Sequence, residues 1–225
     1  VERLVHRLWL GPKPMPERYI EFGQQWQDLN PNWQVIEWTR KDLPPMRNQS
    51  VLDDIARRPR SSIPMDFDRA VAVQSSDVIY YELMERFGGV CLNVDIEPLR
   101  PLDDLMEITG ENAWATFEDD YYLVNCAYGG PKGHPFWKRL NDVLPENYYA
   151  RYNEYMQHQT GPHLLTRVWH ERDDLLALPR ETFNYVHHGS IPVGGNADDW
   201  RDQAVAVGAF GLHHWSHRED QGKYE

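Results

Sequence analysis

The feature that most limits what this chain can fold into is a helix forced to run straight into a strand. Ile79, Tyr80, Leu83, Met84 and Phe87 fall on one stripe at helical spacing, Ser75 or Ser76 is placed to cap the helix start, and Gly88-Gly89 stops it. From Val90 the apolar residues Val90, Leu92, Val94 and Ile96 alternate with Cys91, Asn93, Asp95 and Glu97, so the spacing predicts a strand with the second set on one face. A helix and a strand joined with no linker must pack on each other, which points to a layered α/β domain.

A second unit of this kind opens the chain. Leu4 to Leu10 and Trp33 to Trp38 read as buried strands, and between them Pro16 to Leu29 reads as a helix stopped by Asn30-Pro31. Strand, helix, strand is the building block of a parallel sheet. Downstream, strands are expected over Ala113 to Phe117, Leu123 to Tyr128 and Ala204 to Leu212, and helices over His134 to Leu144 and Gly161 to Leu176. No repeat or low-complexity linker breaks the 225 residues, so residues 1–225 read as one domain.

Composition narrows the partners. The net charge of −12 repels phosphate backbones and anionic lipid, and the local exception is a basic run, Arg57, Arg58 and Arg60 around Pro59 beside Ser61 and Ser62. The longest nearly apolar stretch, Ala204 to Leu212, is far short of the roughly 20 residues a membrane span needs, so no membrane span is expected. No signal peptide is readable in the opening residues, and the chain reads as cytoplasmic with its two cysteines, Cys91 and Cys126, reduced.

The strand ending near Asn93 and Asp95 stops where open α/β sheets bind ligands, at their carboxyl edge. A carboxylate there can hold Mg2+ or Mn2+, which in turn neutralises a diphosphate, with Glu97 as a second anion on the same face. The same residues also suit a plain turn before Pro98. Trp9 offers a flat platform for a base, or a filler for the core beneath the first strand. Asp77 can accept sugar hydroxyls or simply complement a helix N-terminus. Zinc is disfavoured: His187-His188, and His163 with His170, find no third ligand at a zinc-motif spacing.

Ser76 to Leu83, then Phe87-Gly88-Gly89-Val90-Cys91-Leu92-Asn93-Val94-Asp95, then Pro98-Leu99 and Pro101-Leu102, resemble the D-x-D region of glycosyltransferase family 32. Val5 to Gly11 resembles the first strand of that family and of the related glucosyltransferase domains of large clostridial toxins. Asn125, the run Gly130 to Phe136, Thr160-Gly161-Pro162 and His213-His214-Trp215 resemble its later blocks, and the family's C-terminal Ser-Trp has no clear match in His213-His214-Trp215-Ser216-His217. The resemblance implies a single GT-A-like nucleotide-sugar-binding domain with a mostly parallel central sheet flanked by helices. It also implies transfer of a sugar from a UDP- or GDP-sugar, with retention at the anomeric carbon, to a hydroxyl acceptor, carbohydrate or glycolipid, with Mn2+ or Mg2+.

Mapped onto this chain, the resemblance implies Asp95 and Asn93 as the catalytic pair, with Asp95 on the metal; His213 or His214, at the end of the last strand, could complete the metal shell or hydrogen-bond the leaving diphosphate. Trp9, Asp77, Tyr80, Asn125 and Trp215 would contact the donor, and Glu118, Asp119 and Asp120, beside Tyr121 and Tyr122, would face the acceptor. Asn93 stands where the family pattern has Asp, Tyr80 where it has Arg, and Cys91 where it has an aromatic, so a weaker metal grip is expected. The rival readings are a sugar- or nucleotide-binding descendant without turnover, a His/Asp metal phosphoesterase, and a transferase acting on a modified base in DNA through Arg57, Arg58 and Arg60.

Overall fold

The structure is a computed structural model, and it describes residues 1–58 and 67–216. The opening unit forms as its pattern demands: β1 (Leu4–Leu8), α1 (Glu17–Leu29) and β2 (Gln34–Trp38), with β1 and β2 parallel in the register Val5↔Val35 and Leu8↔Trp38. After α2 (Gln49–Arg57) come α3 (Phe67–Phe87) and β3 (Gly89–Leu92), which lies parallel to β1 on its other side. Gly89 makes that approach possible: its φ is +90°, and a Cβ there would sit 2.5 Å from the Leu4 carbonyl oxygen.

β4 (Ile96–Pro98), α4 (Leu102–Thr109), β5 (Ala113–Phe117) and β6 (Leu123–Gly130) follow, then α5 (Pro135–Ala150), α6 (Met156–Gln159), α7 (Pro162–His170), β7 (Leu175–Leu178), α8 (Arg201–Ala206) and β8 (Gly211–His213). The main sheet has the order β2-β1-β3-β6-β5-β7, antiparallel only where β6 meets β3 and β5, and β4 pairs with β8 in a separate antiparallel ribbon. One face carries α3, α5 and α7 over Tyr81, Tyr128 and Trp137; the other buries Trp26 of α1, Trp114 and Phe183. Trp26 is fully buried and donates its indole N–H to the Ile96 carbonyl at 3.0 Å, so one side chain supplies both packing and a polar tie.

Five expectations change. The helix before the glycines starts upstream of Ser75 and Ser76, and Ser76 back-bonds to the Ala72 carbonyl at 2.8 Å, the usual outlet for a serine inside a helix. The strand after the glycines stops at Leu92: Asn93 N–H still reaches the Cys126 carbonyl at 2.8 Å, but Ile96 N–H returns to the Asn93 carbonyl at 3.2 Å and the chain leaves the sheet. Asn93 and Asp95 therefore lie in a turn and not along one strand face. The helix from Gly161 ends at His170, and Leu175 to Leu178, an apolar run too short to show a period, becomes an edge strand. Ala204 to Leu212 splits into the end of α8, a turn at Gly208 with φ +80°, and β8.

The fifth concerns β2, which is an edge strand with half-buried and exposed residues rather than a buried one. Cys91 and Cys126 are free and buried. No helix among the described residues is long and apolar enough to cross a membrane. In the basic run, Arg57 pairs with Asp53 and Arg58 stacks on Tyr152 at 3.6 Å, while Pro59, Arg60, Ser61 and Ser62 lie outside the described residues.

Candidate functional site

The turn after β3 is braced by backbone on every side. Tyr80 donates its hydroxyl to the Leu92 carbonyl at 2.9 Å and accepts from Leu8 N–H at 2.8 Å, clamping β1 to β3 where they end. Arg7, fully buried, donates to the carbonyls of Tyr19 at 2.6 Å and Val94 at 2.8 Å, and pairs with Glu37. Because Val94 stands between Asn93 and Asp95, this guanidinium fixes the turn from below. Burial lowers the Arg7 pKa, and the Glu37 charge works the other way.

Asp95 is 4% exposed, and its neighbours are polar: Oδ2 accepts from Ser216 N–H at 2.7 Å, and Oδ1 faces His213 Nε2 at 3.3 Å. Burial pushes the Asp95 carboxyl up, but the His213 charge and the bonds from His213 and Ser216 outweigh it and hold the group well below the carboxylate range. His213 shows the converse: burial lowers it, the Asp95 charge raises it, and the result is about 10.

Asn184 sets which nitrogen of His213 faces Asp95. Its Nδ2 donates to Thr116 Oγ1 at 3.1 Å, so its Oδ1 is left to accept from His213 Nδ1 at 3.1 Å and from the Cys126 thiol at 3.2 Å. With Nδ1 protonated, the Nε2 lone pair points at a carboxylate, an arrangement that demands a positive charge between them, either a proton or a metal ion. One carboxylate and one imidazole, with the half-buried amide of Asn93 two residues from Asp95, suit a divalent cation that keeps positions open for phosphate oxygens. An imidazole beside a carboxylate fits Mn2+ better than Mg2+, whose ligands are oxygens. Trp215 packs its ring 4.1 Å from that of His213 and spends its indole N–H on the Val186 carbonyl at 2.8 Å. It does so at φ +53°, a left-handed conformation that a Trp adopts only where its surroundings enforce it.

Asp77 lies in the middle of α3, so it does not serve the helix N-terminus. It is 5% exposed; Asn125 Nδ2 donates to its Oδ1, and Thr160 Oγ1 donates to its Oδ2 at 2.8 Å. Burial lifts its pKa to about 7, against the pull of those two bonds. Asn125 immediately precedes Cys126, whose carbonyl holds Asn93, so the Asp77–Asn125 pair stands next to the turn.

Trp9 is half-buried at the end of β1, against the cluster of Tyr19, Phe22 and Val94, with its indole N–H on the Lys13 carbonyl at 2.7 Å. It is not a core filler, and part of its ring surface is open. Tyr80 and Trp215 are buried, with the Tyr80 hydroxyl and the Trp215 indole N–H engaged by the backbone. Glu97 is not a spare anion, being paired with Arg201 at 2.5 Å and His214 at 3.0 Å.

The three acidic residues after β5 diverge. Glu118 Oε1 faces His188 Nδ1 at 3.2 Å, Asp119 Oδ1 accepts from the backbone N–H of Tyr121 and Tyr122 at 2.8 and 2.9 Å, and Asp120 is exposed beside an aromatic groove. Glu118, His187 and His188 bring three possible ligands together, the third partner that the His187-His188 pair lacks in sequence. His187 Nδ1, however, already accepts from Gly189 N–H at 3.1 Å. His163 stacks on His158 at 4.1 Å rather than joining His170, and His217 lies outside the described residues. Arg7 and Asn184 are the residues that sequence reasoning missed, since nothing local marks a guanidinium or an amide as fully enclosed.

The family described as "Glycosyltransferase sugar-binding region containing DXD motif" matches residues 16–114, under half of the chain. Inositol phosphoceramide mannosyltransferase 3 of Schizosaccharomyces pombe is 24% identical over 96% of this chain and 60% of that protein. Human alpha-1,4-N-acetylglucosaminyltransferase is 25% identical over 66% of this chain and 44% of that protein. The chain thus spans three fifths or less of these two relatives' length. Among solved structures, the PaToxG glycosyltransferase superposes with a TM-score of 0.60 at 12% identity over 76% of this chain and 69% of that one. The galactosyltransferase LgtC, solved with donor and acceptor sugar analogues, gives 0.53 at 10% identity over 94% and 87%. These structures bear on the fold, which is the GT-A-like α/β arrangement expected from the resemblance.

Proposed function

We propose that this chain is a glycosyltransferase that moves a hexose from a UDP- or GDP-sugar to a hydroxyl acceptor with retention at the anomeric carbon, using Mn2+ or Mg2+. The observation that carries the reading is the opposed pair Asp95 and His213 at the turn after β3, 3.3 Å apart, where a divalent cation can replace the proton between them. The relatives named for mannose and N-acetylglucosamine transfer support those two sugars first, and the relative named for inositol phosphoceramide supports a glycolipid acceptor.

Asp95 and His213 would hold the metal, with Asn93 beside them. A bound divalent ion supplies Lewis-acid stabilisation of the departing diphosphate. The chain's own residues do the rest. Arg7, Tyr80 and Asn184 hold the turn and the imidazole in place, so little reorganisation is needed on binding. Trp9 gives the base a stacking face, and the buried Asp77 holds Asn125 and Thr160 in place beside the turn. Transfer breaks the bond from the anomeric carbon to the diphosphate oxygen and forms one to the acceptor oxygen, whose proton leaves with the nucleotide; a front-side path needs no protein nucleophile.

The test is nucleotide release from a panel of UDP- and GDP-sugars with Mn2+ or Mg2+. Metal-dependent release that disappears in Asp95→Ala is expected. Equal release by that variant overturns the reading, and donor binding without release, indifferent to metal, would favour a binding protein without turnover. The net charge of −12 argues against a DNA acceptor.

A further inference from the structure

We propose that the junction of α5, α6 and α7 is an anion site that takes the phosphate group of a phosphorylated acceptor; its role as an acceptor site rests on the transferase reading above. A cavity of about 150 Å³ opens there, walled by Asn147, Arg151, His158, His163 and Arg167. In a chain of net charge −12, two guanidiniums and two imidazoles around one small cavity form a local exception.

The walls are built rather than accidental. Asn147 is buried and donates both amide hydrogens, to the carbonyls of His158 at 2.9 Å and Gln159 at 2.6 Å, which fixes its Oδ1 toward the arginines. That oxygen accepts from Arg151 Nε at 3.1 Å and Arg167 Nη1 at 2.7 Å, so a single amide aims both guanidiniums. Arg167 Nε is buried and has no hydrogen-bond partner among the described residues; the nearest carboxylate oxygen, of Glu171, is 3.9 Å away. The Arg167 side chain as a whole is 40% exposed, so the guanidinium keeps donors for an anion in the cavity. The cavity already attracts one from its rim: Glu154 places both oxygens 3.0 Å from Arg151 Nη1 and one 3.5 Å from His158 Nδ1.

What lies beside the cavity points to the rest of the ligand. His163 and Arg167 also border a groove of about 400 Å³ that carries Tyr121, Tyr122 and Trp169. Exposed aromatic faces with scattered polar groups are what a sugar or cyclitol ring packs against. Thr160, two residues before α7, bonds Asp77, so α7 connects the groove to the Asp77–Asn125 pair through the chain. A ring on the aromatics with its phosphate among the arginines fits this pair of cavities.

The test uses the full chain with chelator present, which silences the Asp95 site, and measures calorimetric binding of inorganic phosphate, glucose 6-phosphate and glucose. Glucose 6-phosphate is expected to bind at least tenfold more tightly than glucose. Arg167→Gln should weaken it at least tenfold in a chain that still folds by circular dichroism, and Glu154→Gln should strengthen it severalfold by removing the internal competitor. A parallel arm uses phosphatidylcholine vesicles with and without phosphatidylinositol: Arg167-dependent capture by the second alone identifies a lipid headgroup as the source, and binding of the soluble ester alone identifies a soluble one. Equal binding of glucose and its phosphate, or binding and capture that both survive Arg151→Gln with Arg167→Gln, overturns the proposal. Nucleotide release is read separately, so loss of either reading leaves the other standing.

Discussion

Asp95 and Asp77 are almost equally enclosed, at 4% and 5% exposed, yet one carboxyl sits well below its ordinary range and the other rises to about 7. Burial pushes both the same way. The difference lies in the partners: Asp95 faces an imidazole that carries a full charge, whereas Asp77 receives only two neutral donors, Asn125 and Thr160. An opposite charge offsets desolvation; hydrogen bonds alone do so in part. The chain thus holds one acid kept ionised by a buried counter-charge and one poised near neutrality among neutral donors.

The harshest way to break the comparison is Asp95→Ala. It leaves His213 buried without its counter-charge, and removing one partner of a buried ion pair costs about 3 to 5 kcal/mol. Urea denaturation should show that loss, and nucleotide release should vanish with it; a variant as stable as the parent would mean that the pair is solvated. Next in size is a pH effect at Asp77. Its folded pKa is raised above the unfolded value of about 3.9, so the folded state binds the extra proton between roughly pH 4 and pH 7. Stability therefore falls as pH rises through that window and levels off above it, by an amount on the order of 4 kcal/mol at most. Asp77→Asn keeps the shape and removes the titration, so the stability difference between variant and parent should grow in the variant's favour from pH 4 to pH 7; a constant difference would sink the assignment.

Asn184→Ala tests the charged pair indirectly. It takes the acceptor from His213 Nδ1 and from the Cys126 thiol and should cost about 1 to 2 kcal/mol, read in the same denaturation assay. That Asn184 matters is invisible in sequence, and the reason is general to this chain. Elements written in local periodicity were legible: α1 from its apolar spacing and the Gly88-Gly89 stop of α3. The break at Asn93 was not, because Val94 and Ile96 continue the alternation after the chain has left the sheet, and only the capture of Ile96 by β8 decides it. Asp95 and His213 could be named as candidates, but their opposition arises from β4 pairing with β8, a contact between distant segments. Arg7 looks like any surface arginine until Glu37 and two carbonyls enclose it.

The gentlest test is Asn93→Asp, which sharpens the contrast instead of breaking it. Asn93 is half-buried in the turn, with its backbone N–H on the Cys126 carbonyl, and that bond does not depend on the side chain, so folding stability should move by no more than about 0.5 kcal/mol. The added charge acts on the metal. A hard divalent cation gains from each further carboxylate among its ligands, and the amide now present can offer only a neutral oxygen. The concentration of Mn2+ giving half-maximal nucleotide release should therefore drop severalfold while the dependence on Asp95 stays complete. If the midpoint does not move, position 93 lies outside the reach of the ion, and the neutral residue there is a feature of the turn rather than of the metal.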